Sequence, residues 1–196
     1  MKRRPAWMFG DIDLVIKAPR VSDAWPDETY REQTFRSEQF GMQVRTHINV
    51  AFSPTVIRRL DQIRKSTGVD WVWHSTWVTA PENIVRLTSL LRGLHGGDTV
   101  KKPRRNALGE LPAGWKAERI IRYMDEHGPR DFVVIDDELG KWQNPLEEYA
   151  AKHNVRFLPV ITNGSWTTSP GLEPHHLRAI ESFLAADRST PKEAAA

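Results

Sequence analysis

The run Phe132-Val133-Val134-Ile135, closed by Asp131 on one side and Asp136-Asp137 on the other, constrains the fold more than any other stretch. It is continuously apolar, with no polar alternation. A strand buried on both faces of a parallel sheet reads this way.

The rest of the chain alternates strands with helices around that run. An apolar run, Ala6 to Phe9, is the first strand, and Val44 to Phe52 alternates well enough to be another. Ser53-Pro54 caps and opens a helix with Val56, Leu60 and Ile63 at helical spacing and Gly68 beyond its end. Val69 to Trp73 reads as a strand, and Pro81-Glu82 starts a helix with the stripe Ile84, Leu87, Leu91 and Leu94. A weak strand lies around Asp98 to Val100. A polar loop follows from Lys101 to Gly114, then a helix from about Trp115 to His127 that Gly128-Pro129 ends. After the buried run come a helix from Pro145 to His153, a strand from Val155 to Ile161 and a helix opened by Glu173-Pro174. The expected fold is α/β: a three-layer α/β/α sandwich with a mainly parallel, Rossmann-like sheet. Residues 18–43 are polar without a strong period and are expected to be an irregular insertion after the first strand. Asp187 to Ala196 is expected to be a disordered tail, leaving 1–186 as a single domain.

Composition narrows the function classes. With 196 residues, 39% hydrophobic and 27% charged, the chain can bury a sizeable core and is not wholly disordered. No apolar run approaches the roughly 20 residues of a membrane-spanning helix. Met1-Lys2-Arg3-Arg4 is not followed by a signal-like stretch, so a secretory signal is not expected. The absence of Cys excludes disulfides, a thiolate nucleophile and cysteine-bound zinc, and a cytoplasmic setting fits it. Basic residues exceed acidic ones by 28 − 25 = 3. They concentrate at Lys2-Arg3-Arg4 and at Lys101, Lys102, Arg104 and Arg105, which read equally as solvated loops or as a surface for phosphates. The eight Trp are expected mostly in the core.

In a parallel sheet the ligand sits beyond the carboxyl ends of the strands, so the residues that follow each strand carry the chemistry. After the first come Asp11 and Asp13; on an extended chain they point to one side, where two carboxylates need a cation or a shared proton. Read alone, such a pair is better explained by two solvated turn carboxylates. After Trp73 comes His74-Ser75-Thr76, whose hydroxyls can serve a phosphate oxygen or cap a helix. Lys116 stands at a helix N-terminus, against the macrodipole, and is better placed beside an anion. Asp136-Asp137 follow the buried strand, where unpaired negative charge is costly and Mg²⁺, which prefers carboxylate, water and phosphate oxygens, would offset it. A metal site built on His47, His74, His153, His175 and His176 matches no standard zinc spacing; these read as ordinary surface or capping residues.

The order of these elements resembles the haloacid dehalogenase (HAD) superfamily of phosphohydrolases, and more narrowly the compact HAD domains of bacterial, phage and modular RNA-repair proteins. The elements that carry the resemblance are Asp11-Ile12-Asp13-Leu14-Val15-Ile16, Trp73-His74-Ser75-Thr76-Trp77, Trp115-Lys116, Val133-Val134-Ile135-Asp136-Asp137 and Gly171-Leu172-Glu173-Pro174-His175-His176-Leu177. The resemblance implies that Asp11 is a nucleophile that takes a phosphoryl group. It implies that Asp13 is general acid and then base, with its backbone carbonyl on Mg²⁺. Ser75, with Thr76 as neighbouring candidate, would bind the phosphoryl group, and Lys116 would neutralise the nucleophile and phosphate oxygens. Asp136 would bind Mg²⁺ directly, and Asp137 directly or through water. Gly10 and Leu14 depart from the pattern, which has a β-former and a glycine there. The short insertion implies a small or absent cap, an open site and a large phosphorylated substrate such as a nucleic-acid end or a phosphoprotein. The alternative is a weak or inactive HAD-like module that binds nucleic acid or a protein partner.

Overall fold

A computed structural model describes residues 4–18, 25, 27, 29–39, 42–79, 81–101, 103, 106, 110–162 and 170–186. The first strand is β1 (Trp7–Gly10). A hairpin follows, β2 (Thr29–Gln39) and β3 (Met42–Phe52), and β3 runs into α1 (Pro54–Thr67). Then come β4 (Asp70–Trp73), α2 (Pro81–Leu91), β5 (Asp98–Thr99), α3 (Trp115–His127), β6 (Phe132–Asp136), α4 (Asn144–His153), β7 (Phe157–Ile161) and α5 (Pro174–Ala185). Single 3₁₀ turns cover Thr76–Thr79 and Leu139–Lys141.

Five strands form a parallel sheet in the order β5-β4-β1-β6-β7. From β1 the chain steps outward to β4 and β5, then returns across the sheet to β6 and β7. Right-handed crossovers that step in opposite directions place their helices on opposite faces. Accordingly α1 packs against α5, α3 against α4, and the two pairs sandwich the sheet. The anchor run meets its expectation: Phe132, Val133, Val134 and Ile135 are all fully buried. Direction reverses between the neighbours β1 and β6, so the switch point lies at the ends of these two strands.

Within 18–43, residues 29–39 and 42–43 are strand and not the irregular insertion expected from their polarity. Thr29–Gln39 pairs antiparallel with Met42–Phe52 along eleven residues on each strand. Its only large apolar residues are Tyr30 and Phe35, five apart, so no period of two is visible; the partner's backbone supplies the order. The hairpin is seated by Arg86, which donates to the Thr34 carbonyl at 2.8 Å, and by Phe35, whose ring lies 4.6 Å from that of Trp77. Residues 187–196, and Lys102, Arg104 and Arg105 of the basic cluster, lie outside the described residues, as does the side chain of His47. No helix among the described residues is long and apolar enough to cross a membrane.

Both departures from the family pattern have a packing cause. A Cβ on Gly10 would stand 2.3 Å from the Trp71 ring, so the indole crossing β1 excludes a β-former there. Leu14 adopts φ +57° and turns the chain as glycine would. A left-handed non-glycine residue costs on the order of 1–3 kcal/mol. Burial of the Leu14 side chain, 4% exposed, offsets this by a similar ~1.5–3 kcal/mol. The turn is pinned further by the Thr162 hydroxyl, which donates to the Leu14 carbonyl at 2.9 Å, and by Leu172 N–H, which donates to the Val15 carbonyl at 3.1 Å. Gly171 permits that second approach: its φ is +66°, and a Cβ would meet the Val15 carbonyl oxygen at 2.8 Å.

Candidate active site

The backbone ladder runs one residue past the strand ends and carries the functional side chains with it. Asp11 N–H donates to the Ile135 carbonyl at 3.0 Å, tying the residue after β1 to β6. His74 N–H donates to the Gly10 carbonyl at 3.2 Å, tying the residue after β4 to β1. Asp11, His74, Ser75 and Asp136 are therefore gathered at one rim of the sheet, all buried.

Lys116 enters this rim from the first turn of α3. Its Nζ donates to Asp11 Oδ2 and to Asp136 Oδ2, both at 2.5 Å. Asp136 is held by three donors, since His74 Nε2 lies 3.0 Å from the same Oδ2 and Glu138 N–H lies 2.8 Å from Oδ1. A carboxylate only accepts, so the proton of that His74 contact sits on Nε2. His74 Nδ1 is buried with no hydrogen-bond partner among the described residues.

The charges do not balance locally. Burial raises the Asp11 carboxyl above its ordinary value, the Lys116 charge opposes this and Asp136 adds to it. Burial also acts to raise Asp136, but the His74 hydrogen bond and the Lys116 charge outweigh it and hold the group well below the carboxylate range. Half-buried Asp137 is pushed up to about 6 by burial and by the charges of Asp136 and Asp11. For Lys116, burial works against the proton, yet the two carboxylates win and raise its value. One ammonium thus serves two buried carboxylates with a third close by. Ligand atoms of Asp11, His74 and Asp136 all lie within 4.8 Å of one another, an acidic group able to hold a metal ion. The donors offered are mainly carboxylate oxygens, the chemistry a hard divalent cation selects.

Asp13 departs from the expected convergence. The chain is no longer extended after Asp11: Ile16 and Lys17 amides both donate to the Ile12 carbonyl, at 3.0 and 2.8 Å. That turn gives the Asp13 carboxylate its own partners, the Trp77 indole N–H at 2.7 Å and Lys17 Nζ at 3.0 Å. Asp13 is not a member of the Asp11–His74–Asp136 group. Of the two candidate hydroxyls, Ser75 is buried within the rim and Thr76 is exposed. Lys101 is occupied at the surface by Glu126, with both oxygens at 2.7 Å.

The histidine reading needs one correction. His74 is neither a surface nor a capping residue; it is fully buried and bonded to Asp136. Its place immediately after β4 was the signal. His176 does cap: its Nδ1 accepts from Glu173 N–H at 3.0 Å at the start of α5. Of the partners of Asp13, Lys17 carries no signal that marks it as a site residue, and Trp77 closes the Trp73–Trp77 element without any sign in the sequence that it pairs with Asp13.

No curated protein matches the chain in sequence. The family model for the HAD domain in Swiss Army Knife RNA repair proteins matches residues 9–160, well over half of the chain. This supports a HAD-type phosphohydrolase in general terms, and the chain belongs to the family of HAD domains found in Swiss Army Knife RNA repair proteins.

Proposed function

We propose that the chain is a Mg²⁺-dependent phosphomonoesterase that works through a phosphoaspartate on Asp11 and acts on phosphate ends of polynucleotides. The observation that carries this reading is the pair of buried carboxylates, Asp11 and Asp136, sharing the single ammonium of Lys116 at 2.5 Å. Such an arrangement is costly for a fold to keep and is what transfer of a phosphoryl dianion requires.

In this reading Asp11 attacks phosphorus, and the bond to the leaving oxygen breaks while Asp13, which must enter this step as the protonated acid, gives that oxygen its proton. Water then attacks the phosphoaspartate as Asp13 takes back a proton, releasing inorganic phosphate and regenerating the Asp11 carboxylate. Lys116 keeps the attacking carboxylate from repelling the phosphoryl oxygens, and buried Ser75 offers them a hydroxyl. Asp11, Asp136 and Asp137 would hold Mg²⁺, which supplies positive charge to the transferring group. The family's RNA-repair setting and the basic run Lys101, Lys102, Arg104 and Arg105 support a polynucleotide end as substrate.

The test compares phosphate release from a 3′-phosphorylated oligonucleotide, a free nucleotide and an aryl phosphate, with and without Mg²⁺, for the wild type and Asp11→Asn. Mg²⁺-dependent release that Asp11→Asn abolishes is expected. Unchanged turnover in Asp11→Asn removes Asp11 from the nucleophile role. Equal release from nucleotide and oligonucleotide removes the polynucleotide preference.

A further inference from the structure

We propose that Trp77 is a positioning residue for proton transfer, its indole N–H fixing the Asp13 carboxyl against the leaving oxygen. This rests on the reading of Asp13 as the general acid.

Asp13 leaves the acidic cluster and must be oriented by something else. Its Oδ2 accepts from Trp77 Nε1 at 2.7 Å and its Oδ1 accepts from Lys17 Nζ at 3.0 Å, so both oxygens are held and both side-chain torsions are set. The same Lys17 ammonium lies 5.8 Å from the Trp77 ring centre, closing a triangle of carboxylate, ammonium and indole. Trp77 is itself fixed at two further points. Its ring meets that of buried Phe35, on β2 of the hairpin, at 4.6 Å and 70°. Its backbone N–H reaches Ser75 Oγ at 3.4 Å, in the segment that offers the phosphate-binding hydroxyl.

A tryptophan wanted only for packing has no need of a carboxylate at its nitrogen. Here the indole bridges the hairpin and the Asp13 carboxylate, which stands outside the Lys116 pairings with Asp11 and Asp136. A general acid contributes about 10²–10⁴-fold and acts only within hydrogen-bond reach of its target, so loss of one anchoring donor has a kinetic signature. That signature depends on the leaving group. A nitrophenolate departs without a proton, whereas an alkoxide does not.

The experiment measures kcat/KM of the full chain across phosphate esters of graded leaving-group basicity, from nitrophenyl to alkyl, for wild type, Trp77→Phe and Asp11→Asn. Phenylalanine keeps the ring against Phe35 and deletes the N–H. In Trp77→Phe, kcat/KM on alkyl esters is expected to fall by about 10-fold or more and on nitrophenyl phosphate by no more than ~3-fold, a steeper leaving-group dependence. An equal fall on all esters, with Asp11→Asn inactive, overturns the role of Trp77 and leaves the phosphoaspartate reading standing. Turnover that survives in Asp11→Asn overturns both. A second readout needs neither activity nor the Trp77 variant to fold. In ¹⁵N-labelled protein the assigned Trp77 indole proton should lie downfield and move upfield in Asp13→Ala; a resonance that does not move overturns the contact and the proposal with it.

Discussion

The two ends of the parallel sheet both bury carboxylates and treat them in opposite ways. At the amino end, Asp131 has an arginine to itself: Arg156 donates from its backbone N–H to Oδ1 at 2.9 Å and from Nε and Nη2 to Oδ2 at 2.9 and 2.8 Å. Nearby, Arg130 binds Asp70 at 2.9 Å and lies 3.8 Å over the Trp7 ring. At the carboxyl end, Asp11 and Asp136 share one lysine, and the Asp11 and Asp137 carboxyls are raised by burial and by mutual repulsion. Forked, dedicated pairing is how a fold secures its own geometry. A cluster left short of positive charge is how it holds a place for something else, which in the function proposed above is a cation and a phosphoryl group. The contrast locates function more sharply than burial does, since Asp131 and Asp11 are equally buried at 4% exposure.

The sharpest way to break the comparison is to neutralise one carboxylate at each end. Asp11→Asn should reduce phosphate release by more than ~10³-fold, while its melting temperature stays level or rises, because it removes one of two charges competing for Lys116. A clear fall in melting temperature would mean that the rim is built for stability after all. Next in size is the response to metal. Saturating Mg²⁺, at about 100 times its dissociation constant, should stabilise the wild type by ~2.7 kcal/mol in thermal unfolding, and Asp136→Asn should lose most of that gain. Asp131→Asn should do the converse of Asp11→Asn. It should destabilise by about 1–3 kcal/mol in urea titration, at the low end because Arg156 retains solvent access, and leave turnover per folded molecule intact.

The smallest effect calibrates the others. Half-buried Asp27 accepts from the hydroxyls of Ser53 and Thr55, both at 2.6 Å, where β3 meets α1. Burial acts to raise its carboxyl, but those hydrogen bonds and the Arg58 charge lower it below the ordinary 3.8. A depressed carboxyl contributes stability that is present above its unfolded value and lost as pH falls through the folded one. Asp27→Asn should therefore cost up to ~1 kcal/mol at neutral pH, and the difference from wild type should vanish on acidification through the lowered folded-state value. A difference that persists in acid would assign the cost to geometry rather than charge.

What could be read from residues alone followed from how local each signal is. Phe132 to Ile135 declares a doubly buried strand without help from neighbours, and the bounds of α3, Trp115–His127, are written in its stripe and in Gly128-Pro129. Asp11 and Asp136 were legible because each is the first polar group after a buried strand run, and Lys116 because it stands in the first turn of a helix, against the macrodipole. Thr29–Gln39 was not, since its order comes from the partner strand rather than from its own pattern. The side-chain direction of Asp13 was not legible either. It depends on a turn in which Leu14 takes a left-handed conformation that its residue type argues against. His74 was visible by position and hidden by type, because most histidines serve the surface and this one serves Asp136.

The Trp71 indole lies between two glycines: Gly10 on β1, and Gly97 just before β5, where a Cβ would stand 2.7 Å from the ring. Three positions scattered across the chain are therefore coupled by one packing contact. A branched residue at position 10 is compatible only with something smaller than tryptophan at position 71. Either change without the other overpacks or hollows the space around the indole.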